Sequence, residues 1–296
     1  MTTLREYLDT TDCKDSLKEL IELISMQAVP IREAFINNQS YAGTENSSGE
    51  EQAALDVWSD EHITRILLDS GLVSEIASEE KTGIVKNPDA KANYAIVMDP
   101  LDGSSLIQVN LCVGTIIGIY DNGNVLSAGC DMKAAMYMLY GPMTVLTISI
   151  GDGVYIFALK DGKYVLMQGP VRMPEGNLYG SGGLKKDWTI EHEEFISGIE
   201  KNGGKLRYSG SFVADFHQIL KYGGIYCYPA TKNNQEGKLR LVFEANPIGF
   251  IANQAGGAVS DGKCNLLKIL PKKPHHKTPI YVGSKKLIDD IENIMN

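Results

Sequence analysis

The stretch that most constrains this chain runs from Tyr94 to Ser105 and reads Tyr-Ala-Ile-Val-Met-Asp-Pro-Leu-Asp-Gly-Ser-Ser. Its apolar beginning predicts a short buried strand. Pro100 lacks a donor N–H and Gly103 tolerates positive φ, so the pair predicts a turn that ends the strand. Asp99 and Asp102 are then presented together at a strand's carboxyl end, where open α/β sheets place their ligands. Two carboxylates on one tight turn repel each other unless a cation neutralises them. Hard oxygen ligands suit Mg²⁺ or Mn²⁺, and the backbone carbonyl of Leu101 lies between them. The amides of Gly103, Ser104 and Ser105 follow at once and form a nest for an anion. Asp, Pro and Gly also populate plain turns, so the trailing serines and the acidic residues upstream carry the argument. Together they put metal beside phosphate.

The 296 residues, 43% of them hydrophobic, can bury one large core or two ordinary ones. No apolar run approaches the length of a membrane span, and the N-terminus is polar, which predicts a soluble, cytoplasmic protein. Five scattered cysteines without a C-x-x-C pair predict reduced thiols, not a disulfide framework or a zinc site. A net charge of −9 argues against nucleic acid and anionic membranes as partners. An anionic small molecule would have to be drawn in locally by metal ions and by Arg or Lys. The chain has no G-x-x-x-x-G-K-[ST], G-x-G-x-x-G or G-x-S-x-G motif.

Leu17, Leu20, Ile21 and Ile24 at helical spacing predict a helix within 14–35, broken or kinked at Pro30. Residues 37–49 read as a loop rich in Asn, Ser and Gly, and 50–70 as a second helix. On that helix Asp56 and Asp60 stand four apart; taken alone, such a pair reads as the solvated side. Val73 to Ala77 predicts a strand that delivers Glu79-Glu80. Residues 113–120 and 125–132 read as two strands joined by an Asp121-Asn-Gly hairpin, and 136–167 as further β structure. Turns between Gly169 and Gly176 mark a boundary. Beyond it, helices over 192–201, 211–220 and 284–295 alternate with strands at 205–207 and 225–228, which favours a layered α/β half. The alternation in Lys238-Leu-Arg-Leu-Val-Phe-Glu puts Lys238 and Arg240 on one strand face. Asn246-Pro247 and Ser284 read as helix caps. His275-His276, in a basic loop beside Pro274, reads as solvated loop.

The Asp-Pro-Leu-Asp-Gly-Ser-Ser stretch resembles class I fructose-1,6-bisphosphatases, and the resemblance extends beyond it. Leu55-Asp-Val57, Ser78-Glu-Glu80, residues 113–120, Arg207-Tyr-Ser-Gly-Ser-Phe-Val-Ala-Asp215, residues 223–230 and residues 237–247 all look like that family, in order. The resemblance implies an α/β fold, a layered α-β-α-β-α sandwich of the sugar phosphatase type. An α+β metal-binding first half (1–170) would precede an α/β sugar-phosphate-binding second half (171–296). Glu79, Asp99, Asp102, Glu244 and the carbonyl of Leu101 would hold two or more divalent ions, Mg²⁺ with Mn²⁺ or Zn²⁺ as alternatives. Asp56 and Glu80 would orient or deprotonate the attacking water, and Glu50 stands where the family has an acidic residue. Gly103, Ser104 and Ser105 would hold the phosphate that is cleaved, with Asp102 beside it. Tyr208, Tyr228 and Lys238 would hold the sugar and its 6-phosphate, with Arg207 reaching in from a neighbouring subunit of a homo-oligomer, dimer or tetramer.

The implied activity is hydrolysis of the 1-phosphate of fructose 1,6-bisphosphate, a gluconeogenic step. The rival readings are the same chemistry on sedoheptulose 1,7-bisphosphate or an inositol phosphate, and a non-catalytic sugar-phosphate sensor. The chain departs from the family in two places. A Ser181-Gly-Gly-Leu184 loop stands where the family has Asn and Tyr for the 6-phosphate; backbone amides of the loop would replace those side chains, with Ser181 the candidate contact. Asn93 and Asp121 stand where basic residues for AMP are expected, and Val29-Pro-Ile31 interrupts a Gly-rich turn. Inhibition by AMP in the usual manner is therefore not expected unless Lys14, Lys18 or Arg32 rebuilds the pocket.

Overall fold

The computed structural model describes residues 1–37, 41–45 and 51–296, the strand residues 41–45 and 51–53 by their backbone alone. The helices are α1 (Leu4–Asp9), α2 (Asp15–Ser25), α3 (Ala28–Ala34), α4 (Ala54–Asp69), α5 (Ile190–Lys201), α6 (Phe212–Tyr222), α7 (Asn246–Gln254) and α8 (Lys285–Met295). The strands of the first half are β1 (Tyr41–Glu45), β2 (Glu51–Ala53), β3 (Val73–Ser78), β4 (Val85–Lys86), β5 (Tyr94–Asp102), β6 (Val113–Tyr120), β7 (Ala134–Tyr140), β8 (Thr144–Ser149), β9 (Tyr155–Lys160) and β10 (Lys163–Gln168). The rest are β11 (Leu178–Ser181), β12 (Lys205–Leu206), β13 (Gly224–Tyr228), β14 (Leu239–Arg240), β15 (Ala258–Ser260), β16 (Lys277–Thr278) and β17 (Ile280–Gly283).

An eight-stranded sheet runs β10-β9-β8-β7-β6-β5-β3-β4, and a five-stranded sheet runs β12-β11-β13-β17-β15. Period-two alternation divides the first sheet between two cores. Ile96 and Met98 of β5 pack with α1–α4, whereas Ala95 and Val97 pack with α6 and α7. Those two helices also receive Tyr226, Ile280 and Val282 from the second sheet. The second sheet's far face, with Tyr179, Ile225, Cys227 and Tyr281, packs on α5 and α8. The layers therefore read α-β-α-β-α, as the resemblance implied. Among the described residues no helix is long and apolar enough to cross a membrane.

Several local expectations are corrected. The helix over 14–35 breaks at Met26-Gln27, and Pro30 lies in the first turn of α3, where no intrahelical donor is needed. Within 37–49, residues 41–45 form a strand antiparallel to 51–53. Residues 125–132 form no strand. Asn122 accepts from the amide of Asn124 at 3.1 Å and Asn124 from that of Leu126 at 2.9 Å, so side chains take donors a ladder would need. The partner of β6 is β7. The strand expected over 238–244 is two residues long and passes into a π-helical turn, Leu241–Ala245, which runs straight into α7. Asn246 is therefore already helical and caps nothing. The Ser284 hydroxyl also caps nothing: it accepts from Gly224 N at 2.9 Å and donates to the Pro174 carbonyl at 2.9 Å.

The most consequential correction concerns Pro100. β5 continues through it to Asp102, with a bulge: Asp99 pairs with Ile116 and Asp102 with Gly114, so three steps on β5 oppose two on β6. On a regular strand, residues three apart face opposite sides; the extra residue turns Asp102 back toward Asp99. Gly103 then takes φ +81°, and a Cβ there would lie 2.7 Å from that of Ser211. The chain can pass this close to the start of α6 only because residue 103 is glycine.

Ser211 makes that junction, donating to Asp102 Oδ2 at 2.6 Å and accepting from Ala214 N at 3.3 Å as the cap of α6. Ser211→Ala should cost about 1–3 kcal/mol of stability. Chemical denaturation should show it as a lower midpoint with an unchanged slope.

Candidate active site

The bulge, the end of β3 and the π turn converge on one acidic cluster. Carboxylate oxygens of Glu79, Asp99 and Glu244 lie within 4.8 Å of one another, and Asp99 and Glu244 are buried. Burial pushes the Asp99 and Glu244 carboxyls well above the usual range, and repulsion by Glu79 adds to it. Asp102 is raised to about 6, mainly by burial, although its hydrogen bonds oppose the rise. It accepts from Ser211 Oγ and from the amides of Phe212 at 3.3 Å and Val213 at 2.9 Å. Its place is the positive end of α6, where a carboxylate is favoured. Leu101 N donates to Asp99 Oδ1 at 3.0 Å, closing the turn that holds that carboxylate.

Arg240 is the residue the sequence reading misplaced. It is buried inside the cluster, its Nη1 2.9 Å from Glu79 Oε1, while its amide donates to Glu244 Oε2 at 2.6 Å. Lys238 is exposed, so the two do not share one surface. Apolar Leu239, Leu241, Val242 and Phe243 around Arg240 were the available signal of burial. One guanidinium cannot balance four carboxylates. The cluster's oxygen-only donors, three of them with raised pKa values, fit a site for hard divalent cations.

Asp56 and Asp60 are both buried on α4, not on its solvated side. Asp56 Oδ2 accepts from Ser104 Oγ at 3.0 Å, which ties the helix to the turn after β5. Glu80, half-buried, follows Glu79 in a turn where Ser78 Oγ accepts from the Glu80 amide at 3.3 Å. Ser105 is exposed at the start of a 3₁₀ turn, Ser104–Val109. Glu50 lies outside the described residues.

A second group of candidates forms around the β11–β13 strand ends. Tyr208 is 44% exposed, and its ring lies parallel to that of Tyr226 at 6.4 Å. Burial raises the Tyr208 hydroxyl to about 12, with Tyr228, Asp215 and Asp102 adding to the rise, so it keeps its proton between this group and the acidic cluster. Asp215 holds the loop that carries Tyr208, accepting from Ser209 N at 2.9 and 3.0 Å. A Cβ on Gly182 would lie 2.4 Å from the Tyr228 ring and 3.0 Å from the Tyr208 hydroxyl. Gly180 and Gly182 therefore face the tyrosines, and alternation turns Ser181 to the other side of the sheet. There the Ser181 hydroxyl meets His192 Nε2 at 2.9 Å, among the residues packed on α5. A side-chain contact from Ser181 to a ligand beside the tyrosines is thus not what the fold offers. Arg207 is exposed, with Nη1 donating to the Leu206 carbonyl at 2.8 Å. Lys14 pairs with Asp121 at 3.8 Å, Lys18 with Asp15 at 3.4 Å, and Arg32 bonds Thr144, so each cation considered for a rebuilt nucleotide pocket already has a partner.

Two family models match consecutive stretches of the chain. The family model described as "Fructose-1-6-bisphosphatase, N-terminal domain" matches residues 4–169, and that for the C-terminal domain matches 173–296. A "Fructose-1,6-bisphosphatase class 1" of Methanocorpusculum labreanum is 60% identical, covering 99% of this chain and 92% of the relative. That of Methanospirillum hungatei is 52% identical, covering 99% and 95%. The solved Leishmania major fructose-1,6-bisphosphatase in holo form superposes with a TM-score of 0.93 at 30% identity, covering 99% of this chain and 98% of that one. Matched in both halves and over nearly its whole length, the chain belongs to the class I fructose-1,6-bisphosphatase family.

Proposed function

We propose that this protein is a metal-dependent phosphoric monoester hydrolase that removes the 1-phosphate of fructose 1,6-bisphosphate, leaving fructose 6-phosphate and phosphate. The observation that carries this reading is the cluster of Glu79 with buried Asp99 and Glu244, together with the Gly103–Ser105 amides that follow Asp102 in the chain. Glu79, Asp99, Asp102, Glu244 and the Leu101 carbonyl would hold two or more divalent ions, Mg²⁺ in the first instance. When bound, such ions neutralise the cluster and supply Lewis acidity to the phosphoryl group. Gly103, Ser104 and Ser105 hold the phosphate's equatorial oxygens through consecutive amides. Asp56 and Glu80 orient the attacking water and accept its proton. Tyr208, Tyr228 and Lys238 hold the sugar and the 6-phosphate, and that remote binding energy positions the reacting phosphate. Exposed Arg207 completes the grip from a neighbouring protomer of a homo-oligomer. The five free thiols fit a reducing, cytoplasmic setting and the gluconeogenic role of the family.

The direct test is phosphate release from fructose 1,6-bisphosphate with Mg²⁺ and with chelator; release unaffected by chelation would overturn the metal assignment. Asp99→Asn removes a ligand and a charge while keeping shape. Activity should fall by about three or more powers of ten, yet the metal-free variant should melt no lower than wild type, because a buried repulsion is relieved. Activity within a few-fold of wild type would contradict the assignment.

Raised carboxyl pKa values also fix the sign of a pH effect. The metal-free fold binds more protons than the unfolded chain, so its stability declines as pH rises above the ordinary carboxylate range and through the raised values. Metal binding displaces those protons and is favoured by the same rise. Thermal melts with and without Mg²⁺ should therefore diverge as pH is raised from about 6 to about 8; a gap that narrows would refute the account.

For the phosphate that is not cleaved, Lys238→Ala should raise KM on the bisphosphate and lower kcat as well. The loss should be much smaller on a substrate without the 6-phosphate. Equal losses on both substrates would remove Lys238 from this role.

A further inference from the structure

Lys81 follows the two acidic residues of the β3 turn directly, and three elements meet on it. Its ammonium pairs with Asp60 of α4, whose side chain is 3% exposed. Its backbone carbonyl accepts from His275 Nε2 at 2.7 Å, across the boundary between the two matched halves. The imidazole must donate there, because a carbonyl offers no proton, so Nε2 carries the hydrogen. The His275 ring in turn lies edge-on to Phe243, with centroids 5.1 Å apart, and Phe243 precedes Glu244 on the π turn. The Lys81 amide closes the turn on the Ser78 carbonyl at 3.2 Å. The His275 loop, read from sequence as solvated, is thus a structural contact of the acidic cluster.

We infer that Lys81 is a positioning residue, holding the Glu79–Glu80 turn between the helix that carries Asp56 and the π turn that carries Glu244. The inference rests on the functional reading of those acids given above. Without the clamp, the turn would keep its bonds to Ser78 and Met98 and the Glu79–Arg240 pair. It would lose its ties to α4 and to the His275 loop of the second half, next to several like charges whose repulsion favours their moving apart. The ammonium fixes the turn to α4, and the carbonyl fixes it to the second half. Neither contact involves a residue assigned above to the substrate. Lys81 therefore acts through the acids, on metal affinity and on the alignment of the attacking water.

Four variants test this: Lys81→Arg, Lys81→Met, Asp60→Asn/Lys81→Met and His275→Leu. Each is read by Mg²⁺ calorimetry without substrate, by steady-state kinetics and by thermal melting. Lys81→Met should weaken Mg²⁺ binding and lower kcat by about tenfold to a hundredfold each, the range for groups that orient metal ligands, with KM nearly unchanged. Its melting point should also drop, because Asp60 is left buried and unpaired. The double variant removes that charge and should regain the melting point while keeping the weakened Mg²⁺ binding and low kcat. Lys81→Arg should recover most of both. His275→Leu, which leaves the ion pair intact, should shift Mg²⁺ affinity in the same direction, by a smaller factor. A double variant with wild-type Mg²⁺ affinity and kcat would show that Lys81 only neutralises Asp60, and the inference would fail. Calorimetry reads the clamp alone, so an inactive wild-type protein would count against the function and not against the clamp.

Discussion

The architecture turns on the Asp102 carboxylate at the N-terminus of α6. One anion there accepts a hydroxyl and two amides of a helix belonging to the second half, while its own backbone is still part of the first sheet. The partial positive charge of the helix end offsets part of the cost of burying an acid. The same contact sets the distance between the two sheets at the point where the acidic cluster forms. Because Gly103 and Ser211 touch, the amides after Asp102 stand at a fixed place relative to α6 and to Tyr208. The acidic cluster, the backbone of residues 103–105 and the tyrosines are thus tied together around a bulge.

The layered α/β character of the second half was legible in the sequence because its signals are local, while the five-layer order came with the family resemblance. Period-two runs and Gly and Pro punctuation each act within a few residues. The acidic motif was legible for the same reason. Less legible were features decided by distant partners. Pro100 seemed a strand end until the bulge gave it a position where no ladder donor is required. Arg240 and Lys238 alternate as strand residues should, yet the strand gives way to a π turn and one of the pair is buried. Ser181 lies one residue from the glycine that faces the tyrosines, and in a strand one residue is the difference between the two faces. His275 is polar and beside a proline, so nothing nearby hints that it reaches Lys81, almost two hundred positions earlier.

The cluster also shows how a site can oppose the stability of its own fold. Asp99, Asp102 and Glu244 are buried together at the cost of raised carboxyl pKa values and mutual repulsion. Hydrophobic layers on both sides of the first sheet supply the stability that such a concentration of acids withdraws. Arg240 reduces the repulsion without removing it. The remaining negative charge is what gives the pocket its appetite for small hard cations.

Gly182 carries a consequence for how this family can diverge. Any side chain at that position meets the Tyr228 ring. A new specificity written at position 182 is therefore blocked until Tyr228 has first been replaced or moved. The order of substitutions is constrained: lineages that keep this glycine inherit its contact with Tyr228 as a unit, and a laboratory library varying residue 182 alone would sample mostly disrupted packing against that ring.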